Sequence, residues 1–410
     1  MSETTSIDLL SPELVADPHP ALARLRAESP VCWSERHGAW LVTRFDDVSA
    51  GFRDPRLSSD RVGSFLPDRP ASPASDAADD PTARILSNWM EFKDPPDHTR
   101  LRRLVQKAFT PRTVDSLRPR VQAIVEELLR DLAQAGRADF VRAFAYPLPA
   151  IVIAEMLGVP VEDRDLFKGW SEDILGLVFG GGSSDRHARA RRGFGELEAY
   201  MDAMLRRVRS APAENLLSAL AAAEEQGDVL SRDEVIGTCV LLLFGGHETT
   251  TNLLGTSLWL LHRHPEARER LRREPDLVAQ AVEEFLRYDG PSKMMVRWPI
   301  EDVELRGRKI RRGERVFLMQ NAANRDPEAF PEPDRLDLAR RANAHLGFGF
   351  GIHYCLGAPL ARLEAQLALP ALLARLPALR VETDTPEWNP TLLSRGLRSL
   401  PVSTGVPAAE

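Results

Sequence analysis

Residues 235–262 carry one formal charge in 28 positions, that of Glu248. A run this apolar has to be buried, either in a bilayer or in the middle of a protein core. Glu248 splits it into uncharged pieces of 13 and 14 residues, each short of the roughly 20 that span a membrane. Gly245-Gly246, the consecutive threonines 249–251 and Asn252 dilute it further. It reads as the central helix of a water-soluble protein. Ser231-Arg232-Asp233-Glu234 just ahead has the capping-box pattern, so the helix is expected to start there. An ionised carboxylate in such a helix is costly unless it is paired or faces a polar cavity. Gly245 and Gly246 each lose about 1 kcal/mol of helix propensity, yet let something flat or bulky approach the backbone. Threonine hydroxyls that bond back to carbonyls a turn earlier open the helix locally. Two readings follow: an acid salt-bridged to a neighbouring helix, or a pocket cut into the helix with the acid facing it.

Around this segment the 410 residues read as mostly α. Windows at 113–135, 187–210, 266–288 and 360–376 have helical spacing and composition. Strand-like pieces are short, at 39–43, 296–300, 303–305 and 315–318, with Gly307 and Gly313 marking turns. No βαβ alternation appears, which argues against a doubly wound sheet. Segments 66–82 and 180–184 read as loops, either plain solvent loops or mobile lids. Length alone suggests two or three domains. Composition does not change across either loop, so one α-rich domain with a small β part is the expectation.

Partners and location are bounded by charge and cysteine usage. A net charge of −7 argues against a dedicated nucleic-acid binder. Cys32, Cys239 and Cys355 are too few and too scattered for a disulfide framework, so a reducing cytoplasm is expected. The opening MSETTSIDLL lacks the basic and apolar regions of a signal peptide. Familiar catalytic motifs fail. GFGFGIHYC has Tyr354 where GxGxxG needs its last glycine, and no GxxxxGK[ST] or GxSxG occurs. His247-Glu248 starts like HExxH, but position 251 is threonine, which removes the two-histidine zinc site.

The remaining signal lies near the C-terminus. Glycines 347, 349 and 351 alternate ahead of Cys355, and Pro359 suits the first turn of a helix beginning near 358. Cys355 therefore precedes a helix N-terminus, where the dipole and unpaired N–H groups favour thiolate. A thiolate without a second cysteine or zinc-spaced histidine suits an iron whose other ligands come from a group such as haem; the alternative is inert packing.

Residues 348–361, FGFGIHYCLGAPLA, resemble the haem-binding signature of the cytochrome P450 family, Phe-Gly-x-Gly-x-His-x-Cys-x-Gly. Residues 8–402 resemble its soluble bacterial members in motif order and spacing. The resemblance implies a mostly α fold with a small β region near 31–45, 296–318 and 380–402, and a single haem-binding domain over 1–410. It implies haem b (iron protoporphyrin IX), with Cys355 as iron ligand and Phe348, Gly349, Gly357 and Ala361 around it. Gly245 to Thr250 resembles the oxygen-activating motif Ala/Gly-Gly-x-Asp/Glu-Thr. By that resemblance Glu248 and Thr249 form the acid–alcohol pair that delivers protons, and Gly245, where alanine is commoner, leaves room beside the haem. Glu284 and Arg287 resemble the family's Glu-x-x-Arg pair, and Arg335 in Pro-Asp-Arg-Leu-Asp resembles the arginine completing a buried structural triad. Leu336 replaces the commoner phenylalanine. His98 and Arg102, at i,i+4 spacing, together with Arg297 and His353, match the positions that hold the haem propionates.

Family correspondence also sketches a substrate pocket. Trp89 and Phe92 precede the propionate clamp, and Leu242 and Gly246 lie on the central helix. Lys293, Met294, Met295 and Val296 follow, then Ser394 and Gly396. Lys293 would favour an anionic substrate if it faced inward, or could point to solvent. Residues 100–120 hold seven Lys/Arg and one acid, which reads as a solvated face or a docking patch for an acidic ferredoxin. The implied activity is a haem-thiolate monooxygenase that inserts one atom of O2 into an apolar small molecule by hydroxylation or epoxidation. Electrons would come from NAD(P)H through a ferredoxin reductase and ferredoxin, with no nucleic acid and no membrane involved. The alternatives are a peroxide-driven peroxygenase and a non-catalytic haem-thiolate ligand sensor. Retention of Glu248-Thr249 argues against both.

Overall fold

The computed structural model describes residues 4–62, 80–178, 185–225 and 228–405. The 180–184 loop, and all of the 66–82 loop before residue 80, lie outside them. Cα proximity divides the chain into two compact units, one of residues 1–57, 116–149 and 247–410, the other of 58–115 and 150–246. The helices that matter below are α1 (Asp97–Ala108), α2 (Arg118–Ala135), α3 (Arg186–Ser210), α4 (Arg232–Arg263), α5 (Val278–Asp289) and α6 (Ala358–Arg375). The strands are β1 (Thr4–Thr5), β2 (Val31–Ser34), β3 (Ala39–Val42), β4 (Met295–Pro299) and β5 (Arg315–Leu318).

In the first unit these strands lie in the order β1-β2-β3-β5-β4. β2 and β3 form an antiparallel hairpin pairing Val31 with Val42 and Ser34 with Ala39. β5 then runs parallel to β3 and antiparallel to β4, with Val316 opposite Arg297. Side chains alternate across a strand, so one sheet has two cores. Cys32, Leu41, Val296 and Phe317 face one, with Leu9, Leu22 and Met294. Val31, Val42, Val316 and Leu318 face the other, with Val48, Phe52 and Leu346. Leu346 opens the loop that ends at Cys355, so the second core carries the signature segment. A smaller hairpin, Val303–Leu305 with Arg308–Ile310, turns through Arg306 and Gly307 at φ of 49° and 72°, the two positive values of a type I′ turn. Arg380–Val381 and Pro401–Ser403 pair as expected of the C-terminal β region, joined by Arg137–Asp139, which periodicity does not announce.

Proline revises two helical windows. The 266–288 window is two helices, Pro265–Arg273 and α5, separated by a 3₁₀ turn at Pro275–Leu277. Pro275 cannot donate to a preceding carbonyl and ends the run. The 113–135 window likewise divides into Pro111–Ser116 and α2, with Pro119 in the first turn of α2. Within the first unit α6 packs on α2 and α5.

The second unit is helical. α3 packs on Arg164–Val178 and on Pro81–Leu86, and α1 lies against Met90–Phe92 and Leu216–Ala221. α4 begins here with its capping box intact. Ser231 N–H donates to Glu234 Oε2 at 2.8 Å, and Glu234 N–H donates back to Ser231 Oγ at 3.2 Å. The helix passes from the second unit to the first between Gly246 and His247. No helix among the described residues is long and apolar enough to cross a membrane.

Candidate functional site

The loop before α6 is held at both ends by hydrogen bonds. Leu346 N–H donates to Asn324 Oδ1 at 2.7 Å, and Leu346 O accepts from Gln320 Nε2 and, at 2.9 Å, from Gly349 N–H. Gly349 and Gly351 sit at φ of 71° and 72°, where a Cβ would be strained. The turn they make lets Cys355 N–H donate to Phe348 O at 2.9 Å. Two residues later Gly357 caps α6, whose first turn contains Pro359. The three cysteines separate here. Burial pushes the Cys32 thiol to about 11 and that of Cys239 to about 12, so both stay protonated packing groups. Cys355 is exposed. A Cβ placed on Gly357 would find only its Sγ, at 3.9 Å, within 4 Å. In the same unit lie His353, half-buried, and Arg297, buried with its guanidinium 5.5 Å from the Phe52 ring centroid.

α4 presents its acid without a counter-charge. Among the described residues Glu248 makes no ion pair, and its side chain accepts one hydrogen bond, from Asn252 Nδ2 at 3.2 Å. Desolvation raises its pKa, and the Asn252 bond offsets part of that. No salt bridge to a neighbouring helix holds this acid among the described residues. One turn earlier, a Cβ on Gly245 would meet nothing within 4 Å, so the backbone is open there. Thr249 follows Glu248 and is half-buried.

Behind the cysteine loop lies a buried ionic network. Arg287 Nε and Nη2 each donate to Glu284 at 2.8 Å, with both side chains wholly enclosed. The third member is Arg340, not Arg335. Arg340 Nε lies 3.2 and 3.1 Å from the two Glu284 oxygens, and Asn343 Nδ2 adds a bond at 3.1 Å. The Arg335 side chain is 63 % exposed and pairs with Glu332 at 3.1 Å. Only its backbone carbonyl takes part, accepting from Arg287 at 3.3 Å and Arg340 at 3.2 Å. A chain of bonds leads outward, since Arg287 Nη1 donates to Asn324 O at 2.9 Å and Asn324 Oδ1 holds Leu346. Glu283, next in sequence, faces Arg362 and His345. Burial would raise its pKa, but hydrogen bonds from those two groups bring it down to about 2.

A family model described as Cytochrome P450 matches residues 178–399. The chain is 43 % identical over 409 residues to the vitamin D(3) 25-hydroxylase of Pseudonocardia autotrophica, covering 98 % of this chain and 97 % of that one. The chain belongs to the cytochrome P450 family. The solved polyketide-synthase P450 PksS of Bacillus subtilis 168 superposes with a TM-score of 0.88 at 39 % identity, over 97 % of this chain and 99 % of that one. A myxobacterial P450 solved with myristic acid gives 0.87 at 41 %, over 97 % and 98 %. The P450 fold is thereby shown, and the protein is a P450 monooxygenase acting on a small molecule. The family implies haem, and the residues of this P450 fit it. The exposed thiol precedes a helix N-terminus, and no group of three or more His, Cys, Asp or Glu among the described residues could hold a metal alone. A metal at Cys355 must bring its other ligands with it.

Several expected pocket residues are packed away instead. In the second unit Trp89 is 0 % exposed, inside an aromatic cluster with Phe92, Phe244 and Phe194 at 5.4, 5.4 and 6.2 Å. Phe92 is covered by Arg61 at 4.4 Å. Side chains without accessible surface do not line a cavity. Gly246 sits against protein, since its Cβ would fall 3.1 Å from Ile153 Cγ1. Leu242 is buried. In the first unit Met294 and Val296 belong to the core under the sheet, whereas Met295 is half-buried on the opposite face. Ser394 is tied to Thr391 Oγ1 at 2.8 Å. Lys293 is not at the solvent. It is buried, donates to Thr391 O, and burial with Arg395 nearby lowers its pKa to about 8 against the pull of Asp289. On α1 His98 is buried and Arg102 half-buried, four residues apart on one face. In the basic stretch Arg100 pairs with Glu234 and Asp228 of its own unit, and Arg103, Lys107 and Arg112 are exposed.

Two outcomes follow. Arg340→Ala strips a partner from a buried carboxylate and should lower unfolding stability by about 3 kcal/mol, while Arg335→Ala should stay within about 0.5 kcal/mol, as read by urea titration. Glu248 binds its proton more tightly folded than unfolded, so stability should fall as pH rises through that interval. Glu248→Gln removes the fall, and its Tm should exceed that of the unaltered protein at pH 8 but not at pH 4.

Proposed function

We propose that this P450 hydroxylates or epoxidises a mid-sized apolar molecule with haem b held by Cys355. The observation that carries this is that one unit holds both an exposed cysteine at a helix N-terminus and a helix-borne acid that no cation among the described residues neutralises. When bound, haem supplies the redox chemistry by which one atom of O2 enters an unactivated bond. The protein's own residues divide the remaining work. Cys355 keeps a negative sulfur because the free N–H groups and dipole of α6 face it. Arg297 and His353, both in the first unit, are proposed to meet the propionates. Glu248 stays protonated to higher pH than a solvated glutamate, which suits a proton donor, and the Thr249 hydroxyl beside it relays the proton. Gly245 leaves room for substrate beside the helix.

A mid-sized apolar substrate is supported by the relatives, one named for vitamin D(3) and another solved with myristic acid. Phe348, Gly349, Gly357 and Ala361 are proposed to surround the cofactor. A ferredoxin, reduced from NAD(P)H by its reductase, is the proposed electron donor, drawn to the exposed Arg103, Lys107 and Arg112. The cytoplasm is the proposed location.

Thr249→Ala separates this reading from its rivals. In a monooxygenase the variant should consume reductant at a comparable rate, release peroxide and lose most of its product. A peroxide-driven enzyme would keep product formation from added peroxide without loss. In a ligand sensor neither binding nor redox behaviour would change.

A further inference from the structure

Asn252 lies four residues beyond Glu248, one turn along the same face of α4. Its Nδ2–H to Glu248 Oε1, at 3.2 Å, is the one hydrogen bond made to that carboxyl among the described residues. The amide is itself fixed. It is buried, and a Cβ built on Gly396 would fall 1.8 Å from its Oδ1, 2.1 Å from its Cγ and 2.7 Å from its Nδ2. Nothing larger than hydrogen fits at position 396 while Asn252 keeps its place. The backbone there is held too, because Gly396 O accepts from Asn389 N–H at 2.9 Å. Gly396, which family correspondence puts at the substrate, thus acts as a backstop to the amide.

Resting on the reading of Glu248 as the proton donor, we propose that Asn252, backed by Gly396, is a positioning residue that decides which oxygen of Glu248 carries the proton. A neutral carboxyl has one carbonyl and one hydroxyl oxygen. An N–H directed at Oε1 favours the form in which Oε1 is the carbonyl, leaving the proton on Oε2. No cation competes for the group among the described residues, so this contact alone sets the orientation. Without it the two oxygens become equivalent, the carboxyl turns, and part of the delivered protons go astray.

The test is infrared spectroscopy of the haem-loaded protein, with the carbonyl stretch of protonated Glu248 assigned by its loss in Glu248→Gln. A carbonyl that loses a hydrogen bond stretches at higher frequency. Asn252→Ala and Gly396→Ala should each move the band upward, and the double variant should move it no further than either alone. Both single variants should also release severalfold more peroxide per electron pair. Gly396→Ala leaves Asn252 in the sequence, so it serves should Asn252→Ala fold poorly. A band that stays in place in either variant, or two shifts that add, would overturn the role of Asn252. Glu248→Gln with undiminished coupling would instead overturn the donor role of Glu248, a separate result, because the band reads orientation without turnover.

Discussion

A sulfur atom serves as a metal ligand only when its position is fixed, and the Cys355 loop is held in place by one chain of bonds. It begins at Glu284, buried and held by Arg287 and Arg340. Arg287 grips the Asn324 carbonyl, Asn324 grips Leu346, and Leu346 with two left-handed glycines shapes the turn that delivers Cys355 to the start of α6. Removing one partner of such a buried ion network leaves an uncompensated charge, so the loop inherits the rigidity of the network. α6 in turn rests on α2 and α5, and α5 carries Glu284 itself. The cysteine is thus anchored from both directions by α5.

The opposite requirement governs Glu248. On the proposed reading Cys355 keeps a charge whereas this acid holds a proton, and an apolar helix with no counter-cation among the described residues favours the latter. The two groups use environment in contrary senses: a helix N-terminus for the thiolate, burial for the carboxyl. Cys32 and Cys239 show what burial does to a thiol, whereas Cys355 is exposed.

Much of this was legible in the sequence where the determinant is local. The Ser231–Glu234 capping box, the Pro359 helix start, the Gly307 turn and the short strands at 303–305 and 315–318 all depend on neighbours a few residues away, and all are found. The break at Pro275 was equally local and is a rule of proline chemistry that periodicity overrode. Arg340 was not legible, because Arg335 and Arg340 both lie within reach of Glu284 along the chain, and only the path of 331–340 puts one guanidinium inside and the other in solvent. The burial of Trp89 and Met294 is illegible for a similar reason: which side of an aromatic cluster or a sheet is filled depends on elements distant in sequence. Asn252 did leave a signal, an amide one turn after a buried acid, and Lys293 showed how a cation can be buried on a backbone carbonyl with no anion bonded to it.

The measurement that tests the central claim most directly is the absorption spectrum of the reduced, carbon monoxide-treated protein. With Cys355 as a thiolate ligand, the Soret band should appear at the red-shifted position characteristic of thiolate-bound haem, and Cys355→Ala should abolish it. A band at the position of histidine-ligated haem in the unaltered protein would contradict the assignment of Cys355.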